Sequence, residues 1–303
     1  MPGPRQLVDP PTFVDRNFGL LSVVQARYDE PDVHWRNGVT FQTLCGIGST
    51  TYDPFCIEPD PATKAATHTT PIRGAQPFTP FAEVDCSPVG YDQAFQRARA
   101  VDALTRTESW QVENVVWTGV AGGDANAVYP HLAANTAVLD NGTIPTILLQ
   151  CAATTVTGST VLDVVEGVGR LEKALADCSN GQGVLHVPLI LGEQLFRAGI
   201  AKVDGAQIKT QAGNLVALGA GYTGSGPDGT FISNAVWVYV TGPVFAYRSA
   251  PETWAFREQF DRANNTVKTI VERTYVVGFD CCCLYAVPIS VGGIVTGQPL
   301  SAF

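Results

Sequence analysis

One segment constrains this chain more than any other. Residues 87–119 read SPVGYDQAFQRARAVDALTRTESWQVENVVWTG. Ser87 followed by Pro88 is a helix start, a cap with proline in the first turn. Ala94, Ala98, Val101, Leu104, Glu108, Val112 and Val115 recur at spacings of three and four, while Arg97, Arg99, Asp102, Arg106 and Glu113 fall mostly elsewhere. Gly119 stops the run. The pattern predicts one amphipathic helix of about seven turns with a narrow apolar stripe. Such a helix lies across a surface; it does not fill a core.

The flanks supply the surface. Residues 1–40 carry several prolines and little periodicity, the pattern of an extended arm. In 41–84, VTFQTLC and PFTPFAEVDC read as the two sides of a hairpin, with a protruding loop from 58 to 76 between them. After the long helix, STVLDVVEGVGRLEKALAD predicts a second helix with Leu162, Val165, Val168, Leu171 and Leu175 on one side. GVLHVPLIL follows as a buried strand, GEQLFRAG as a short helix and NLVALGAGY as another strand. AVWVYVTGPVFAYRS reads as a hairpin bent at Gly242 and Pro243. A short helical piece is expected from Glu252 to Asp261, and the β-branched run from 265 onward reads as one or two long strands. The fold class is α+β, with no internal repeat.

Composition narrows the function. A chain of 303 residues with 45% hydrophobic and 16% charged side chains can bury a substantial core. Its 19 basic residues are too few and too dispersed to track phosphates, which with a net charge of −9 argues against sequence-specific nucleic-acid binding. An acidic wall enclosing nucleic acid without gripping it is compatible with that balance. No apolar run reaches 18 residues, and MPGPRQLVDPPTFVDRNFG has no signal-type apolar region, so neither a membrane span nor a signal peptide is expected. The eight cysteines are accordingly read as reduced thiols, and the sequons at Asn141 and Asn264 as irrelevant.

Few motifs hint at chemistry. Gly219, Gly221 and Gly224 spell GxGxxG, the pattern with which a dinucleotide fold approaches a pyrophosphate. That fingerprint needs a helix after its third glycine and an acidic residue about 20 positions on. Here SGPDG follows, and Thr230 to Pro251 contains neither Asp nor Glu, so the glycines are assigned to a turn and no cofactor is expected. Cys281, Cys282 and Cys283 on a strand would point alternately to two faces and could not close a tetrahedral metal shell. They are read as small apolar residues of a core strand, with a disulfide formed after assembly as the alternative. His34, His68, His131 and His186 are far apart in sequence, so no metal site is expected. Glu108 and Glu113, five residues apart, fall on different helix faces and are read as solvated or interface charges; Trp110 and Trp117 are read as packing anchors. No catalytic motif is present, and no catalytic residue is named.

The order of parts resembles the tailed-phage major capsid proteins of the Hong Kong 97 type, a fold shared with encapsulins. Three stretches carry the likeness. FAEVDCSPVGYDQAFQRARAVDALTRTESWQVENVVWTG looks like the passage from extended loop to spine helix, ending in the family's acidic residue, aromatic and glycine at Glu113, Trp117 and Gly119. GVLHVPLILGEQLFRAG and GNLVALGAGYTG look like axial-domain elements, and ETWAFREQFDRANNTVKTIVERTYVVGFDCCCLYAVPIS like the closing elements of the peripheral domain. The resemblance implies an N-terminal arm (1–40), an extended loop hairpin (41–84), the spine helix and first part of the peripheral domain (85–132), an axial domain (133–260) and closing strands of the peripheral domain (261–303). It further implies a non-enzymatic virion shell protein, assembled in the host bacterial cytoplasm as pentamers and hexamers around DNA. The long N-terminal scaffolding segment that some members of the family carry is missing, which implies a separate scaffold or none; a cement protein is a further partner the resemblance implies. Lys64 lies in the loop without a cross-linking motif, so no covalent chain-mail is expected. Alternatives are an encapsulin-like compartment, a minor capsid or vertex protein and, on the glycine motif alone, a nicotinamide-dependent oxidoreductase.

Overall fold

The computed structural model describes residues 13–14, 16–28, 33–43, 72–86, 92–124, 128–134, 151–261 and 264–292. Lys64, Ser87, Pro88, His68 and Asn141 lie outside them. The first strands in chain order are β1 (Gln25–Tyr28), β2 (Val39–Gln42), β3 (Ile72–Ala75), β4 (Pro77–Phe78) and β5 (Phe81–Cys86). Helix α1 (Gln93–Thr118), β6 (Thr154–Thr155), α2 (Val164–Ser179), β7 (Val184–Pro188) and α3 (Gly192–Arg197) follow. Next are β8 (Ala201–Asp204), β9 (Gln207–Thr210), β10 (Leu215–Gly219), β11 (Ala235–Thr241) and β12 (Val244–Arg248). The chain closes with β13 (Glu252–Asp261), β14 (Thr266–Glu272), β15 (Tyr275–Phe279) and β16 (Tyr285–Ser290).

A mixed sheet ordered β6-β16-β11-β7-β10-β9-β8 carries one of the two main cores. Its central strand β7 is buried at all five positions, as its run VLHVP, apolar but for His186, requires. α2 covers one face with Val168, Leu171 and Leu175. The helix approaches closely because Gly167 has no side chain: a Cβ there would sit 2.8 Å from Ile289 Cγ1. Asp163 caps it, accepting from Val165 N at 2.8 Å and Glu166 N at 3.0 Å. Leu162 precedes the helix in a bridge to Ile289, and Val165 is exposed, so the buried stripe is narrower than expected.

The other main core lies between α1 and a sheet ordered β1-β12-β15-β4. A third sheet, β13-β14-β5, extends along α1, and β2 pairs antiparallel with β3 from Val39↔Ala75 to Gln42↔Ile72. The hairpin expected between VTFQTLC and PFTPFAEVDC is thereby corrected: β2 pairs with Ile72–Ala75, inside the expected loop, while β4 pairs with β15 and β5 with β14.

Several expectations are corrected. β11 and β12 are not a hairpin: β11 belongs to the seven-stranded sheet and β12 to the four-stranded one, so Gly242 and Pro243 mark a crossover between sheets. Residues 252–261 form a strand, because β13 pairs with β14 from Glu252↔Glu272 to Asp261↔Thr266 and this pairing overrides the helical composition. The closing run makes three strands in three different sheets, with β16 returning beside β11. Sheet membership thus cuts across the expected boundary at 260. α1 starts at Gln93 with Asp92 as its cap, accepting from Phe95 N at 2.7 Å, and ends at Gly119 in the left-handed conformation.

Candidate functional site under the long helix

α1 buries Gln96, Ala100, Leu104, Glu108, Val112, Glu113, Val116 and Trp117. Two carboxylates among these buried residues are the chemistry of the molecule. Glu108 accepts at both oxygens from Arg273 Nη1 at 2.8 Å, and its Oε1 accepts from Arg248 Nη2 at 2.6 Å and Tyr275 Oη at 3.1 Å. These partners tie α1 to the last residue of β12 and the first of β15. Burial pushes the Glu108 carboxyl up from its ordinary value, against the opposing pull of Arg248 and the Tyr275 hydroxyl.

Glu113 is wholly buried. Its Oε1 accepts from Leu20 N at 3.1 Å, its Oε2 accepts from Gly221 N at 3.0 Å, and Arg16 Nη2 lies 3.3 Å from Oε2. One carboxylate thereby joins α1, the chain at 16–20 and the turn after β10. Burial raises this carboxyl too, opposed first by the Gly221 N–H and then by Arg16. The backbone of 18–20 is held independently, since Phe18 O accepts from Leu218 N at 2.8 Å.

The two glutamates do occupy different faces. Neither is a solvated charge, because α1 is covered on both flanks: by β12 and β15 near Glu108, and by the 16–20 segment and the glycine turn near Glu113. Trp117 closes the same face, donating from Nε1 to Ser225 O and Oγ at 3.1 Å and packing against Tyr222 and Tyr239. It is the anchor expected; Trp110 is not, being half exposed.

No family model matches this chain, and no curated protein does. Its structure does have relatives. The capsid of an empty GTA particle superposes with a TM-score of 0.54 at 12% identity, covering 95% of this chain and 95% of that one. A chain of Microbacterium phage Oxtober96 gives 0.51 at 12% identity, again over 95% of both, and one of Gordonia phage Cozz gives 0.50 at 9% over 94% and 91%. The chain has the Hong Kong 97-type capsid fold.

Within this capsid fold each candidate motif acquires a definite place. The glycine triplet packs against protein atoms. A Cβ at Gly219 would meet the Tyr222 ring at 2.5 Å, and one at Gly221 would sit on the Trp110 carbonyl oxygen, 2.8 Å from Asn114 N. Gly224 takes a φ of +78°, close to Val236. Coil and a 3-10 turn at Pro227–Gly229 follow. Gly221 is therefore the point at which the turn touches the backbone of α1.

The cysteine reading is overturned. Cys281, Cys282 and Cys283 lie in the turn between β15 and β16, and all three are disulfide-bonded; Cys281 pairs with Cys151 and Cys283 with Cys178. In a turn the three side chains are free of strand alternation and can reach different elements. His186 is buried between Tyr222 Oη at 2.9 Å and Thr241 Oγ1 at 3.0 Å, and burial pushes its imidazole down to about 3. His131, against Val128 O at 2.8 Å, is pushed by burial to about 4. Among the described residues no cluster of His, Cys, Asp or Glu is placed to hold a metal, and no helix is long and apolar enough to cross a membrane.

The partners Arg16, Arg248 and Arg273 were not singled out in the sequence. A signal for one existed: Glu108 occupies the apolar stripe, and Arg273 interrupts the apolar run TIVERTYVVGF. An acid and a base stranded in two apolar patterns are candidates for each other.

Proposed function

We propose that this chain is the major shell protein of a tailed-phage-type particle, a structural and non-enzymatic protein that assembles with its own copies into pentamers and hexamers around DNA. The observation that carries the reading is the superposition on the GTA capsid over 95% of both chains. In this reading residues 1–40 are the arm and 41–84 the extended loop, α1 is the spine, and the seven-stranded sheet with α2 and α3 is the axial unit to which β16 returns. The exposed Phe231, Phe81, Val203 and Trp110 are apolar surface for neighbouring copies to cover. The net charge of −9 lets enclosed DNA move without being gripped. The shell is located in the virion after assembly in the host cytoplasm.

Negative-stain electron microscopy of the purified protein, with its mass by light scattering, tests this. Closed shells or discrete pentamers and hexamers are expected. A monomer that forms no particle across a range of salt, protein concentration and crowding agent overturns the reading.

A further inference from the structure

We propose that the Cys281–Cys282–Cys283 turn is an oxidation-set lock: its cysteines are thiols while the subunit is made and become disulfides when the particle meets an oxidising medium. The inference takes its purpose, not its chemistry, from the shell reading.

The geometry singles out this turn. It joins β15 of the four-stranded sheet to β16 of the seven-stranded one, and its ends belong to different cores. Cys281 and its partner Cys151 are packed in the core under α1. Cys283 is packed in the core under α2, with Cys178 at its edge. The Cα separations of 5.1 Å and 5.7 Å suit disulfides. The chain's other crossover between these sheets runs alongside: Asp280 N donates to Pro243 O at 3.4 Å, and a Cβ on Gly242 would sit 2.9 Å from Asp280 Cβ. Two adjacent crossovers are where the sheets can shift against each other. One disulfide on each side fastens the turn to both cores, closing sequence separations of 130 and 105 residues. Cross-links over such spans constrain the unfolded chain strongly.

The cores themselves do not need the bonds to fold, since each is already lined by apolar side chains. This separates a lock from a folding staple. Cys151, Cys281 and Cys283 are buried, whereas Cys178, in the last turn of α2, is half-buried and gives a small oxidant its entry. With oxidised glutathione as oxidant, the Cys178 thiolate attacks one glutathione sulfur and expels the other as a thiolate. The Cys283 thiolate then attacks the Cys178 sulfur and expels the second. Two protein thiols lose two electrons and two protons, and one glutathione disulfide becomes two thiols. The Cys151–Cys281 pair, buried at both sulfurs, needs local opening and closes later.

The full chain is expressed in a reducing bacterial cytoplasm and quenched with N-ethylmaleimide at lysis; a second portion is exposed to oxidised glutathione before quenching. Peptide mass spectrometry is expected to find Cys151, Cys178, Cys281 and Cys283 alkylated in the first. In the second, Cys178–Cys283 forms first and Cys151–Cys281 after it, and Tm rises by about 10 °C. Dithiothreitol reverses both. A double Cys151→Ser, Cys178→Ser variant loses these two pairs and most of the Tm rise; if it does not fold, the wild-type cycle alone decides. Disulfides complete at the first quench, or none of these pairs after oxidation of folded protein, overturn the lock. Microscopy of both portions separates the two readings: pairing without particles removes the shell and keeps the lock, and particles without pairing do the reverse.

Discussion

Glu113 and Gly221 form one joint. The carboxylate accepts two backbone N–H groups, from Leu20 and Gly221, in a site closed to water. Replacing Glu113 by Ala strands both donors, each at a cost of about 1–3 kcal/mol, while the partly exposed Arg16 can rehydrate. The expected loss is about 2–6 kcal/mol, read by denaturant unfolding. Glu113→Gln, which retains an acceptor oxygen, is expected to lose about half as much; equal losses would show that charge, not hydrogen bonding, holds the joint. The glycine side is stricter. Gly221→Ala places a Cβ on the Trp110 carbonyl oxygen and 2.8 Å from Asn114 N, atoms of helix backbone that cannot rotate away. A fall in Tm of more than about 10 °C, or loss of soluble protein, is expected. A wild-type Tm in Gly221→Ala would mean that the turn does not press on α1.

At the scale of elements, α1 is a beam of 26 residues, about 39 Å long, clamped by one buried carboxylate near its middle and another half-way to its end. Glu108 is the mid-point clamp, and Arg273 grips both of its oxygens. Arg273→Ala leaves a buried carboxylate with Arg248 as its remaining arginine among these contacts and is expected to cost about 3–5 kcal/mol. Arg273→Lys keeps a charge that one nitrogen can deliver, as Nη1 alone serves both oxygens, and is expected to cost less. Thermal scans of the two variants would order them; the reverse order would show that the charge opposite Glu108 is not what holds the clamp. The beam itself was legible, because its end at Gly119 and its stripe through Leu104, Glu108 and Val112 are local patterns. So were β7 and α2, whose apolar runs and periods need no partner to be read. What covers α1 was not legible: Glu108 becomes buried because of residues 140 and 165 positions away and Glu113 because of residues 93 and 108 positions away, and no spacing within a helix encodes that. β13 failed for the same reason, since its strand character comes from β14. The cysteine turn was misassigned because the break between β15 and β16 is set by the two sheets they join.

At the scale of the whole molecule, the buried ionisable groups give opposing pH dependences whose balance can be worked out. His131 and His186 stay neutral in the fold, pushed down to about 4 and about 3 from an ordinary value of 6.5. The unfolded chain takes up protons below 6.5 that the folded one refuses. Their contribution is therefore complete above 6.5 and is lost as pH falls towards those lower values, at up to about 1.4 kcal/mol per pH unit for each. Glu108 and Glu113 act oppositely: burial raises both above 4.5, so the folded protein binds their protons first. Their contribution is complete below 4.5 and is lost as pH rises through the raised values. Just above 4.5 the glutamates' gain on protonation opposes the histidines' loss. Below 4.5 the glutamates have nothing further to add, while His186 still refuses its proton down to about 3. Tm should fall more steeply below pH 4.5 than just above it. His186→Gln can hydrogen-bond Tyr222 and Thr241 but does not titrate, so it should remove about one proton from the uptake on acid unfolding and flatten the steep limb. Scanning Tm from pH 3 to 7 in both proteins decides the matter, because an unchanged limb in His186→Gln would move the acid sensitivity to the surface carboxylates.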